Sequence, residues 1–349
     1  MNIWRRFFTR MNLSKDKGHY TALLTFVLIL LLPLLIALSI GLGSVRIALH
    51  DIINAIIHPD QSDTVYQIIF YVRIPRTLAA LLAGGALSVS GFILQSVLNN
   101  SLASPNTIGV NAGAGLFVIL VSALFPSYLQ FTSIAAFIGA MMAVFLVYSI
   151  AKLTGASRMA VILSGIAVSS FFGAITNTVL TIWPDTAISR TAFSIGGFSG
   201  VTMDNIGFST WFILPSLIIV TILSYDLNLL TLGDDTAKSL GMNTSLFRFL
   251  FLTLAALLAG SAISFAGLLG FVGLIVPHAS RFLVGSSKRW LVPFTALLGS
   301  MFTLFCDLLA RVLFSPYEVP VGIIMSFIGG PLFIYLLFKG RQKRIYNSN

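Results

Sequence analysis

Leu78-Ala-Ala-Leu-Leu-Ala-Gly-Gly-Ala-Leu-Ser-Val-Ser-Gly91 returns further along the chain as Leu254-Ala-Ala-Leu-Leu-Ala-Gly-Ser-Ala-Ile-Ser-Phe-Ala-Gly267. The two blocks agree at 10 of 14 positions without a gap. Each sits in an apolar run of about the 20 residues that a helix needs to cross a bilayer. Around them the chain of 349 residues is 57% hydrophobic and only 9% charged. A soluble domain carries about 25% charged residues, so no segment here can coat a soluble surface. The single cysteine, Cys306, excludes an intrachain disulfide and a cysteine metal cluster.

Ten apolar segments meet or approach the spanning length: 20–40, 75–98, 107–125, 130–151, 158–182, 207–224, 248–266, 270–284, 290–313 and 320–338. The eighth holds Pro277, and its 15 residues reach only about 22 Å as a helix. It reads as a short helix buried among neighbours. The basic stretch Trp4–Lys17 before the first segment resembles a signal peptide, but the run is long and no small-residue cleavage site follows cleanly, so it reads as a retained span.

Orientation follows from the positive-inside rule. With the N-terminus inside and ten spans, sixteen of the 21 Lys and Arg fall inside. Arg46, Arg73, Arg76, Arg190 and Arg311 fall outside. The expected architecture is therefore an all-α polytopic membrane protein of about ten helices, both termini cytoplasmic. Residues 1–19 form a cytoplasmic segment, 20–338 one transmembrane domain and 339–349 a basic tail. The two matched blocks lie five spans apart and so run in opposite directions. That places inverted half-repeats at about 75–182 and 248–338, a transporter architecture.

An energy source is missing. No G-x-x-x-x-G-K-[ST] loop is present, and neither is H-E-x-x-H, G-x-S-x-G or a pair of intramembrane aspartates. Asp307 stands four residues before Arg311, where the two can pair on one helix face. His278 has no second metal-ligating residue near it in sequence. An ion-coupled secondary transporter and a channel remain open as readings of the residues alone.

Three stretches together resemble one family. They are Arg73-Ile-Pro-Arg-Thr77 with Asn100–Gly115, Gly267-Leu-Leu-Gly-Phe-Val-Gly-Leu-Ile-Val-Pro-His278 with Arg281, and Asp307–Arg311 with Glu318-Val-Pro-Val-Gly322 and Gly329-Gly-Pro-Leu-Phe333. They are similar to permease subunits of ABC importers for iron–siderophore complexes, haem and cobalamin. Ser101 stands where that family commonly has Pro. The resemblance implies a second permease subunit, two cytoplasmic ATPase subunits, an extracytoplasmic binding protein and a multi-pass place in the cell membrane. ATP hydrolysis would belong to the separate subunit; no cofactor, metal or nucleic acid is implied. Iron(III)–siderophore is the expected substrate, with haem or cobalamin as alternatives.

Site residues follow. Arg73, Arg76 and Arg311 would receive carboxylates of the binding protein; the local alternative pairs Arg73 and Arg76 with Asp60 and Asp63, and Arg311 with Asp307. The loop at about 225–247 would couple to the ATPase through Gly233, Asp234, Asp235, Ala237, Leu240, Gly241 and Met242. Thr236–Leu240 is expected to be a short helix, its N-terminal end favoured by the two aspartates. Ser170, Gly173, Asn177 and Thr181 share one helix face, as do Gly322, Ser326 and Gly330. Small polar faces also serve plain helix packing; the resemblance makes them pathway lining. Asn100, Leu102, Ala156 and Ser157 would narrow its inner end.

Overall fold

The computed structural model describes residues 16–43, 45, 47–57, 63–155, 157–285 and 290–346, and every regular element among them is helical. Seven helical stretches are long and apolar enough to cross a membrane. Val110–Leu124, Val272–Val284 and Val321–Tyr335 are shorter apolar helices, and they fall on the three remaining expected segments.

In chain order, α1 is Asp16–Gly41, α2 Leu49–Ile57 and α3 Thr64–Gln67. A π-helical turn, Ile68–Arg73, joins α3 to α4, Ile74–Val97. Then come α5 (Val110–Leu124), α6 (Thr132–Leu153), α7 (Arg158–Ile182), α8 (Ala187–Ile195), α9 (Met203–Ile222), α10 (Ser224–Thr231) and α11 (Asp234–Ser239). The chain closes with α12 (Thr244–Ala266), α13 (Val272–Val284), α14 (Leu291–Val312) and α15 (Val321–Tyr346).

The two matched blocks form the axis of the molecule. The apolar windows of α4 and α12 are 83% and 78% buried, against 6% for α1, which faces outward. Ser90 Oγ on α4 donates to the Ala255 carbonyl on α12 at 2.7 Å. Arg76 at the start of α4 lines one cavity with Ala266 at the end of α12. The pair therefore runs antiparallel, as the repeat implies. Equivalent residues repeat their packing. Ser88 and Ser264 each donate to the carbonyl three residues back, Gly85 and Ser261. Each also reaches a neighbouring helix, at the Thr295 carbonyl of α14 and at Ser209 of α9. In a bilayer no hydrophobic force drives helices together, so close approach of small residues must do it. Gly91 of α4 lies so near the Gly273 carbonyl of α13 that any Cβ would overlap it.

Several ends move from their expected places. α9 starts at Met203 rather than 207, because the Thr202 side chain accepts the Asn205 N–H as an N-cap. α12 starts at Thr244 because Asn243 caps Leu246 in the same way. α15 runs through Lys339–Arg344 to Tyr346, past the expected end at 338; Lys, Arg and Gln are good helix formers. α13 has only 13 residues, about 20 Å, and begins beyond a non-helical stretch at 267–271. The N-terminal stretch 1–15, Arg46, Asp60, Ala156, Lys288 and Arg289 lie outside the described residues.

Candidate functional site

Three arginines gather where α1 ends and α4 begins. The π-helical turn aims Arg73 back at the end of α1, where its Nη1 donates to the Ile40 and Gly41 carbonyls at 2.6 and 2.7 Å. Its Nη2 donates to the Val45 carbonyl at 2.6 Å. One turn on, Arg76 Nε lies 3.0 Å from Asp307 Oδ1 and its Nη1 is 2.5 Å from Glu318 Oε2. Arg311 Nε meets the other Asp307 oxygen at 3.1 Å, and its two terminal nitrogens donate to the Ser39 carbonyl and hydroxyl. The side chain of Asp307 is fully buried, a carboxylate clasped between two guanidiniums that join α1, α4 and α14. A charge this deep is tolerated because it is paired and hydrogen-bonded.

This geometry forms the Asp307–Arg311 pair and gives Arg76 partners distant in sequence. Arg73, Arg76 and Arg311 are 4%, 6% and 2% exposed, so direct contact with a partner's carboxylates, as drawn from the resemblance, has little guanidinium surface to use. Arg73 is held by backbone carbonyls, while Asp63 caps α3 by accepting the Val65 N–H. The exposed edge of the cluster is Glu318, which lines a cavity of about 610 Å³ with Arg76, Ser189 and Ser264.

The polar face of α7 lies open in the single chain: Ser170, Asn177 and Thr181 are exposed and Gly173 half-buried. Arg190 of α8 donates to Asn177 Oδ1 at 3.1 Å. One turn further on the same face of α8, Ser194 lines a second cavity of about 500 Å³ with Asn111, Gly270, Gly322, Ser326 and Phe327. The two expected polar faces thus meet through α8. Arg190 and Ser194 were missed as site residues because α8 is a nine-residue helix, too short to register as a span, and Asn111 because nothing in the spacing of α5 joins it to α8 and α15. At the other end of α4, Asn100 Oδ1 accepts the Leu102 N–H at 2.9 Å in a tight turn. Leu102 is exposed there, and Ser157 is the N-cap of α7, accepting the Ala160 N–H. His278 is half-buried on α13, and no group of three potential metal ligands occurs among the described residues.

The expected helix in the loop after α9 is α11, with Asp234 and Asp235 in its first turn. It ends as Gly241 predicts: with φ +85° this residue donates to the Lys238 carbonyl, and Met242 reaches back to the Ala237 carbonyl. Of its apolar residues Ala237, Leu240 and Met242, only Leu240 projects, at 61% exposure. Ala237 and Met242 turn inward and fasten α11 to the bundle. Asp234 is bound by both terminal contacts of Arg248 Nη2, at 2.8 and 2.7 Å, and by Arg158 Nη2 at 3.1 Å. Part-burial pushes its carboxyl up. The Arg248 hydrogen bonds and the charges of Arg248, Arg158 and Lys238 outweigh that and hold it below the usual aspartate range.

An all-helical bundle with seven helical stretches long and apolar enough to cross a membrane, and an antiparallel pair of matched blocks at its centre, is the build of a membrane permease. Comparison with known proteins agrees. The profile of the FecCD transport family matches residues 29–339. The iron(3+)-hydroxamate import system permease protein FhuB of Bacillus subtilis is 36% identical, over 87% of this chain and 80% of its own. The hemin transport system permease protein HmuU of Yersinia pestis is 33% identical, over 92% and 97%. A metal-chelate type ABC transporter solved in an inward-facing conformation superposes with TM-score 0.78 at 31% identity, over 90% of this chain and 98% of that one. The chain belongs to the FecCD transport family: it is a multi-pass membrane permease of the ABC importer type.

Proposed function

We propose that this chain forms one half of the translocation pathway of an ABC importer for an iron(III)–siderophore complex. The observation that carries the reading is the joint one: an exposed small-polar face on α7 that Arg190 ties to α8, whose Ser194 lines a cavity with Gly322 and Ser326. A large hydrated chelate needs walls of weakly polar groups that do not grip it, and an exposed face of this kind needs a second permease subunit to complete it. Iron(3+)-hydroxamate import by FhuB supports a siderophore substrate, and hemin transport by HmuU is the alternative within the same family.

In this reading the chain crosses the membrane ten times with both termini inside, and Leu240 and α11 lie in the cytoplasm against one of two ATPase subunits. A binding protein docks at the opposite end, where Arg76 and Glu318 border the cavity; Arg73 and Arg311 support that surface from within. Asn100, Leu102 and Ser157 narrow the cytoplasmic end of the path.

Co-purification and reconstituted uptake test this. Purified with its partners, the chain should bring an ATPase subunit, and vesicles should accumulate an iron(III)–hydroxamate in preference to hemin or iron(III)–citrate when ATP is supplied. Uptake that survives ATP depletion and collapses with the proton gradient would establish a secondary transporter instead.

A further inference from the structure

We propose that Asp234 is a positioning residue that passes displacement of α11 to the pathway helix α7. This inference rests on the reading of α11 as the contact to the ATPase. Asp234 is the first residue of α11, and Arg158 is the first residue of α7. The single nitrogen Arg158 Nη2 lies 3.1 Å from Asp234 Oδ1 and 2.7 Å from the Leu230 carbonyl at the end of α10. Arg158 therefore holds the start of α7 to both sides of the Leu232–Gly233 bend. Arg248, 3% exposed, grips the same carboxylate from α12.

The rest of α11 meets the bundle through apolar contact and joins its flanks at two glycines. Gly233 and Gly241, at φ +109° and +85°, bracket it with open space around both, so the helix can swing on two permissive backbone positions. Ala237 and Met242 anchor it by non-directional apolar contact. A carboxylate shared by two guanidiniums is different: it is directional, and it ties α11 to α7 at one end and to the buried axis helix α12 at the other. Motion of α11 then reaches the helix whose far half carries Asn177 and Thr181, with α12 as the fulcrum.

The test uses spin labels on the complete permease–ATPase complex. Cys306 is buried, so a single introduced cysteine is labelled selectively. Ser239→Cys reports α11, and Met159→Cys, 62% exposed and next to Arg158, reports α7. In the parent chain both labels should change on trapping with ATP and vanadate. In Asp234→Asn the α11 label should still respond, while the α7 response falls about tenfold, within the range of inter-site coupling. Asp234→Glu should restore it, and Arg158→Gln should match Asp234→Asn without worsening it in the double variant. A full α7 response in Asp234→Asn overturns the proposal, as does equal loss in Asp234→Asn and Asp234→Glu. If Asp234→Asn does not assemble, Arg158→Gln alone decides: an unchanged α7 response overturns the link. Silence of both labels in the parent chain would instead defeat the ABC reading of α11.

Discussion

Two clusters of one aspartate and two arginines occupy opposite ends of this molecule, and they are built to different ends. Arg248 and Ala266 lie 18 residues apart on α12, so the Asp234 cluster and the cavity beside Arg76 are separated by about 27 Å. Asp307 is fully buried, while the Asp234 side chain is 31% exposed. The first cluster locks three long helices to one another. The second ties a six-residue helix, hinged on glycines, to two long ones. Equal chemistry gives a rigid end where the carboxylate is dry and an adjustable end where it is wet, because solvent screens and competes only in the second case.

Removing each carboxylate should show the contrast most strongly. Asp307→Ala leaves Arg76 and Arg311 facing each other without a shared anion. Breaking a buried pair costs about 3–5 kcal/mol, and this variant should lose most of its folded population in detergent thermal unfolding. Asp234→Ala should cost less, because this carboxylate is 31% exposed although Arg248 is buried, leaving a folded chain with impaired ATPase–transport coupling. Equal destabilisation by the two variants would break the comparison.

A smaller effect separates the clusters by ionic strength. Raising salt from about 0.1 to 1 M shortens the screening length from about 10 to 3 Å. The stability difference between parent and Asp234→Ala should shrink, and that between parent and Asp307→Ala should persist. Acidity gives the smallest effect. The Asp234 carboxyl is held below its ordinary value, so its contribution is complete above the ordinary aspartate range and is lost only as pH falls through the lowered value. Coupling should therefore be unchanged between neutral pH and about pH 5, where an unperturbed aspartate is still ionised too. A loss of coupling in that interval, with assembly intact, would require an Asp234 carboxyl raised above its ordinary value, the reverse of what Arg248, Arg158 and Lys238 impose on it.

Much of this was open to a reader of the sequence. The duplicated block located the axis, since small residues at fixed positions are what let α4 and α12 pack at the centre. The segment 158–182 and α7 coincide, because Ser157 is a capping residue and Trp183-Pro184 stops the helix. Gly241 announced the end of α11. What sequence hid was long-range pairing. Nothing in spacing joins Arg76 to Asp307 and Glu318, or Arg158 to Asp234, and exposure of Arg73 was inferred where burial against the Ile40 and Gly41 carbonyls occurs. The short helices α2, α8 and α10 escaped because nine or fewer residues lack the length by which spans are recognised.

Hydrogen exchange on the permease–ATPase complex, with and without ATP and vanadate, tests the contrast between the two ends most directly. Nucleotide trapping should change exchange at residues 233–242 and at the first turn of α7, and leave residues 74–80 and 303–311 as they were. Equal change at the Asp307 cluster, or none around Asp234, would contradict the account.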